Sequence, residues 1–120
     1  MDCRMALSVS LALLLASLPA QAAEVPVLEH DILPILTKQC MGCHGGLVQK
    51  GGLDLRTLPA MVKGGDTGPG VVAGKPGDSE LWLMIVDDAM PKGQEKLSGE
   101  QKQTIRRWID AGMPTVAQQR

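Results

Sequence analysis

Cys40-Met41-Gly42-Cys43-His44 is the stretch on which the reading of this chain turns. Two thiols separated by two residues, with an imidazole directly after the second, form C-x-x-C-H, the attachment sequence for c-type haem. The order has a chemical reason. The two thiols add to the two vinyl groups on one edge of the porphyrin, and the adjoining imidazole is thereby held under the iron as its proximal ligand. The expectation is one covalent haem c, with Cys40 and Cys43 in thioether linkage and His44 on the iron.

Three other uses of the same residues compete. A thioredoxin-like redox pair normally follows a strand in a βαβ unit, and nothing strand-like precedes Cys40. A zinc site needs four ligands. Beyond the targeting segment the chain offers only Cys40, Cys43, His44 and His30, with no second suitably spaced pair. A structural disulfide closing so short a loop would stabilise little, and it would leave His44 without a role.

The region upstream of the motif carries a second, independent signal. Met1 to Arg4 is short and polar, Met5 to Leu18 is almost wholly apolar, and Pro19 and the small residues of Ala20-Gln21-Ala22-Ala23 follow. That layout is a secretory signal peptide over residues 1–22, with cleavage expected near Ala22 or Ala23. The apolar run is shorter than the roughly 18 residues of a membrane-spanning helix. An uncleaved anchor is the alternative. Cys3 precedes the apolar run, the wrong place for a lipid-anchored cysteine. Export through a Sec-type route to the periplasm agrees with the haem motif, because the thioethers form outside the cytoplasm. No membrane span is expected once the signal is removed.

Composition narrows the class further. The chain has 120 residues, no Phe or Tyr, two Trp, and a formal net charge of −1. Near-neutral charge argues against nucleic acid or an anionic membrane surface as partner. Aromatic side chains usually supply much of the apolar area of a core, and short domains often need a staple or cofactor. A large apolar cofactor is expected to fill that gap.

Local patterns predict three to four short helices joined by Gly/Pro-rich loops, an all-α fold wrapped around one haem. Asp31 is an N-cap candidate for a first helix ending near Cys40, with Pro34 in its first turn. The chain is glycine-rich from Gly42 to Gly52, hence loop, and Leu53-Asp54-Leu55 reads as a short extended piece. Thr57 to Val62 reads as one or two helical turns stopped by Gly64-Gly65. Asp66 to Gly77 is an ordered connecting loop. Asp78 is read as the cap of a helix through Leu81, Trp82, Met84, Ile85 and Val86, ending before Met90-Pro91. Ser98 with Gln101 in capping-box register opens the last helix. Ile105, Trp108 and Ile109 form its buried stripe, and Gly112 with Pro114 ends it.

The sixth position on the iron has several claimants. Met84 lies in an apolar helix and reads as core. Met41 is inside the attachment loop, and Met113 follows the terminating Gly112. Met61 sits in a short helical turn. Met90 is the favoured distal ligand: it lies in a loop just after a helix, beside the fixed backbone of Pro91, far enough along the chain to reach the opposite haem face. A thioether there stabilises ferrous iron and raises the potential. His30 is the alternative, for a bis-His haem of lower potential.

With these residues in hand, the sequence resembles the planctomycete-type cytochrome c domain. The match runs through ILPILTKQCMGCHG from Ile32, GGLDL at Gly51 to Leu55, Gly64-Gly65, and PGDSELW at Pro76 to Trp82. Met90-Pro91, Lys96-Leu97-Ser98 and Trp108-Ile109-Asp110-Ala111-Gly112 continue it in order, so that the domain is expected over residues 27–114. The resemblance implies a class I-like cytochrome c fold, with first and last helices packed across one another and haem between them. It also implies Cys40, Cys43, His44 and Met90 as the haem-binding residues. Members often carry this domain joined to larger ones; here it is expected to stand alone.

The function expected is that of an exported mono-haem electron carrier, not an enzyme, meeting transient redox protein partners. A small-ligand sensor or peroxidase-like protein with a labile sixth ligand is the alternative, and a haem-stapled interaction module a third. Lys92, Lys96, Lys102, Arg106 and Arg107 are candidates for a basic docking rim, although Asp87, Asp88 and Glu95 among them favour an ordinary solvated face.

Overall fold

The structure is a computed structural model that describes residues 16–18 and 24–120. The rest of the expected signal peptide, with its cleavage site and Cys3, lies outside the described residues. The described chain has four α-helices: α1 (Leu33–Gln39), α2 (Leu58–Lys63), α3 (Glu80–Val86) and α4 (Gly99–Asp110). A π-helical turn at Leu28–Ile32 leads directly into α1, and no strand occurs among the described residues. The all-α expectation holds.

Helix α1 and its leading turn carry a buried stripe at four-residue spacing. Leu28, Ile32 and Leu36 are buried, and Cys40, the next residue in that register, packs against the same core. The stripe therefore delivers the first thiol to the end of the buried face. The start of this helix differs from the sequence expectation. Asp31 is not its N-cap: its carboxylate reaches back to accept the N–H of Val27 at 2.7 Å from within the first turn. A carboxylate satisfies the same unpaired donors from inside the turn as from the cap position, and the i+3/i+4 pattern alone does not separate the two.

Helix α4 forms as read. Ser98 accepts the N–H of Gln101 while the Gln101 side chain accepts the N–H of Ser98, a complete capping box. Ile105, Trp108 and Ile109 are fully buried. The helix ends where Gly112 (φ 88°) turns left-handed, with Met113 N–H on the Trp108 carbonyl at 2.8 Å and Gly112 N–H on Ile109 at 3.0 Å. That is a Schellman closure, and the apolar residue following it, Met113, is buried as the motif favours. The Trp108 indole N–H donates to the Pro114 carbonyl at 3.1 Å.

Helices α1 and α4 are tied at opposite ends. Leu28 N–H bonds to the Pro114 carbonyl at 3.0 Å, and the Gln39 amide donates to Gln101 at 3.2 Å. The start of one helix thus lies beside the end of the other. Helix α3 packs on α4 through Leu81, Trp82 and Ile85, with the Arg106 guanidinium 5.5 Å over the Trp82 ring. Asp78 does not cap α3. It lies in a 3₁₀ turn, and the residue before the helix is Ser79, fully buried. The Ser79 hydroxyl accepts Val72 N–H at 2.8 Å and donates to the Lys75 carbonyl at 2.8 Å, so it ties the Gly/Pro loop to the helix start.

That loop is held at several further points: Val71 N–H to Met61, Leu81 N–H to Gly70, and Gly74 N–H to Ile109. Its tightest position is Gly64 (φ 71°), where a Cβ would sit 2.0 Å from the Gly68 carbonyl oxygen. Only glycine fits there. The side chains that replace the missing aromatics are aliphatic. Ile32, Leu36, Leu55, Ile85, Ile105 and Ile109 join both Trp and Met61 in one cluster. The polypeptide has a hydrophobic centre of its own, contrary to the expectation that a cofactor would supply most of it.

Candidate functional site

The attachment turn closes α1. Cys40 N–H donates to the Leu36 carbonyl at 2.8 Å, and the Cys40 carbonyl accepts Cys43 N–H at 3.2 Å and His44 N–H at 2.9 Å. Helical hydrogen bonding thus continues through the motif and places both thiols and the imidazole on one turn. Beyond it the chain folds into a small hairpin, with Gly45 N–H on the Val48 carbonyl and Lys50 N–H on the Cys43 carbonyl at 2.9 Å. The His44 carbonyl accepts Leu55 N–H at 2.9 Å, so the extended piece read at Leu53 to Leu55 serves as a brace for His44 rather than as a strand. Gly45 is required by close approach: a Cβ there would lie 2.3 Å from the Met41 carbonyl oxygen.

Both cysteines are free thiols. Burial pushes the Cys40 thiol up to about 11, and the neighbouring Cys43 adds to the shift. Cys43 is exposed. His44 Nδ1 is buried without a hydrogen-bond partner. A buried nitrogen left unpaired costs about 1–3 kcal/mol, so the ring is not there to serve a protein hydrogen bond.

Beside the hairpin stands a pair that the sequence reading did not single out. Arg56 Nη2 and Nε hold the Asp54 carboxylate at 3.0 and 3.1 Å. The Asp54 carboxyl is lowered below its ordinary value by hydrogen bonds from the Arg56 side chain and backbone. Arg56 Nη1 lies against Gly46, 2.9 Å from where a Cβ would project. A D-x-R spacing carries too little information in a bare sequence to mark this pair, and it packs the turn after His44 as a neutral ion pair.

The methionines separate by burial. Met61 is fully buried in the core and Met113 is buried at the end of α4. Met41 sits within the attachment turn, its sulfur 3.7 Å from the Thr37 hydroxyl. Met84 is half-buried within α3. Met90 is half-buried in the connection from α3 to α4. The connection that carries Met90 is tethered to the attachment turn, since the Gln94 amide donates to the carbonyl of Gln39, the residue before Cys40. His30 is exposed and lines a polar groove of about 580 Å³ with Lys38, Gln39, Glu95 and Gln101. This groove includes none of Cys40, Cys43, His44 or Met90.

Three of the five cations that were candidates for a basic rim make internal contacts. Lys102 pairs with Asp88 at 2.7 Å, Arg106 with Asp110 at 3.7 Å, and Lys96 Nζ donates to the Pro91 carbonyl.

The residues fit a covalent porphyrin. Two unbridged thiols and an uncommitted imidazole share one turn, and apolar side chains remain open around the fold. Helix α3 exposes Leu83 (41 %) and Val86 (37 %) on the side away from its buried Leu81, Trp82 and Ile85. The hairpin exposes Leu47 and Val48. A helix apolar on two sides needs a second apolar neighbour. Among the described residues no three His, Cys, Asp or Glu side chains converge as they would around a bare ion.

An all-helical domain whose first helix ends in a braced C-x-x-C-H turn defines the class of c-type cytochrome domains. Residues 40–93 match the family model described as Planctomycete cytochrome C, a match that supports a planctomycete-type cytochrome c domain, a haem-binding module. The matched segment begins at Cys40 and ends just beyond Met90. It is narrower than the span of residues 27–114 read from the sequence, with α1 and α4 outside it. No curated protein and no solved structure matches the chain. Among the described residues no helix is long and apolar enough to cross a membrane.

Proposed function

We propose that the protein is an exported, periplasmic mono-haem c-type cytochrome that passes single electrons between protein partners. The observation that carries this reading is the attachment turn itself, with two free thiols and an unpartnered imidazole at the end of a buried helix stripe. When bound, the haem supplies an iron that cycles between ferrous and ferric states. The rest of the chemistry belongs to the chain. Cys40 and Cys43 would hold the cofactor covalently in both states, and His44, fixed by its backbone bonds to Cys40 and Leu55, would bind its iron.

Met90 would be the second side chain to bind the iron. It is the half-buried methionine on a loop tied to the attachment turn, and a thioether there raises the potential. Met61 and Met113 are committed to packing, which supports this choice, and exposed His30 belongs to another groove. With His44 and Met90 both holding the iron, the protein would exchange electrons without binding substrate and would need only a small, transient partner surface.

Two measurements test the proposal. Mass spectrometry of the secreted protein should show one haem added; the mass of bare protein, with thiols free or joined to each other, would end it. The ferric absorption spectrum should show a Met–iron charge-transfer band that disappears in Met90→Ala. A parent that is five-coordinate, or that takes up small ligands freely, would favour the sensor or peroxidase-like alternative.

A further inference from the structure

The segment that carries Met90 is anchored on both sides. Downstream, Pro91 is buried and the Lys96 ammonium sits on its carbonyl. Upstream, Met90 N–H donates to the Met84 carbonyl at 3.0 Å. Two residues before Met90, Asp88 adopts φ 59°, a left-handed conformation uncommon outside glycine but tolerated by Asp and Asn. Its carboxylate meets Lys102 Nζ at 2.7 Å, and the Lys102 side chain is only 17 % exposed. The chain therefore leaves α3 through an unusual backbone turn, and the side chain at that turn is clasped to α4.

We infer that Asp88 and Lys102 are positioning residues for Met90, a clasp that sets the direction of the loop and keeps its thioether in place. The inference rests on Met90 being the distal ligand, as proposed above. An exposed ion pair is ordinarily weak. This pair matters because it acts on a loop whose closed and open forms compete. An added ligand gains affinity in proportion to the population of the open form, so a small loss of closure is read directly as tighter binding.

The test uses haem-loaded protein and imidazole as the probe of the ferric form. Asp88→Asn keeps the tolerance for the left-handed turn and removes the charge; Lys102→Gln removes the other partner. Each single variant should bind imidazole about two- to fivefold more tightly than the parent, the range an exposed or partly buried pair supports. The double variant should go no further, and Lys102→Arg should return towards the parent. Met90→Ala sets the limit of an open position.

Single variants with lowered melting temperature but parental imidazole affinity would make the pair merely structural, as would fully additive effects in the double variant. If Met90→Ala keeps the charge-transfer band, or binds imidazole no better than the parent, the ligand assignment itself fails and the clasp falls with it. The two failures are thus told apart by Met90→Ala.

Discussion

Cys40 and Cys43 stand three positions apart yet meet different surroundings, and the difference comes from the helix stripe. Leu28, Ile32 and Leu36 bury one side of the first helix, and Cys40 inherits that side, whereas Cys43 falls on the open side of the turn. The thiolate, not the thiol, is the nucleophile, and burial holds Cys40 up to about 11. In haem-free protein, alkylation at neutral pH should therefore modify Cys43 well before Cys40, with Cys40 becoming reactive only as the pH climbs towards 11. Peptide mass mapping of a short iodoacetamide pulse reads this, and equal labelling of both would contradict it. The same shift has a stability consequence. A thiol whose folded value lies above its ordinary 9.0 leaves stability intact below 9 and removes it as the pH rises to about 11, so haem-free protein should lose melting temperature across that window. At this scale the sequence was most informative where chemistry forces a residue type. Cys40, Cys43 and His44 were legible because their order has few other uses. Asp31 and Asp78 were misplaced because a carboxylate near a helix start can serve from several positions, and only the backbone decides which.

Helix α4 was legible from end to end because each of its signals is local: a capping box, an i, i+3, i+4 stripe, and a glycine that closes the last turn. Ser98→Ala removes the hydroxyl that accepts Gln101 N–H at 3.1 Å, and should cost about 1 kcal/mol. Thermal denaturation of the haem-loaded protein measures that loss, and an unchanged midpoint would mean the cap is dispensable. The start of α3 was not legible, because Ser79 works through contacts with Val72 and Lys75 that depend on how a loop folds back. The Gly/Pro loop behaves likewise. Its glycines read as loop in the sequence, but that Gly64 is pressed against Gly68 and Gly70 depends on how the loop turns back on itself. Gly64→Ala meets both a left-handed backbone and a Cβ 2.0 Å from a carbonyl oxygen. Strained backbone alone costs about 1–3 kcal/mol, and the clash adds to it. The variant should be less stable than Ser98→Ala in the same assay, and a Gly64→Ala protein within about 0.5 kcal/mol of the parent would show that the loop can give way.

On the scale of the whole molecule, the absence of Phe and Tyr led to the expectation of a core made mainly of cofactor, and the packing corrects it. Aliphatic residues from all four helices and the loops close around Trp108, which is fully buried and anchored through its indole N–H to Pro114. The error lay in reading aromatic content as core content: Ile and Leu bury about as much per side chain in free energy as a smaller aromatic. Two contributions to stability can then be separated. Trp108→Ala leaves a large cavity and takes one of two donors, the other being Leu28 N–H, from the Pro114 carbonyl, and should cost about 3–5 kcal/mol whether or not haem is bound. Cys43→Ala leaves that core intact and, on the proposed attachment, removes one covalent link to the haem. It should keep the helical circular-dichroism signal of the parent while melting at lower temperature. The comparison that decides is the order of the two variants in haem-free form. A haem-free Cys43→Ala that melts like haem-free parent, beside a Trp108→Ala that does not fold, places the folding core in the polypeptide. Loss of helix in every haem-free form, Cys43→Ala and parent alike, would return the cofactor to the centre of the fold.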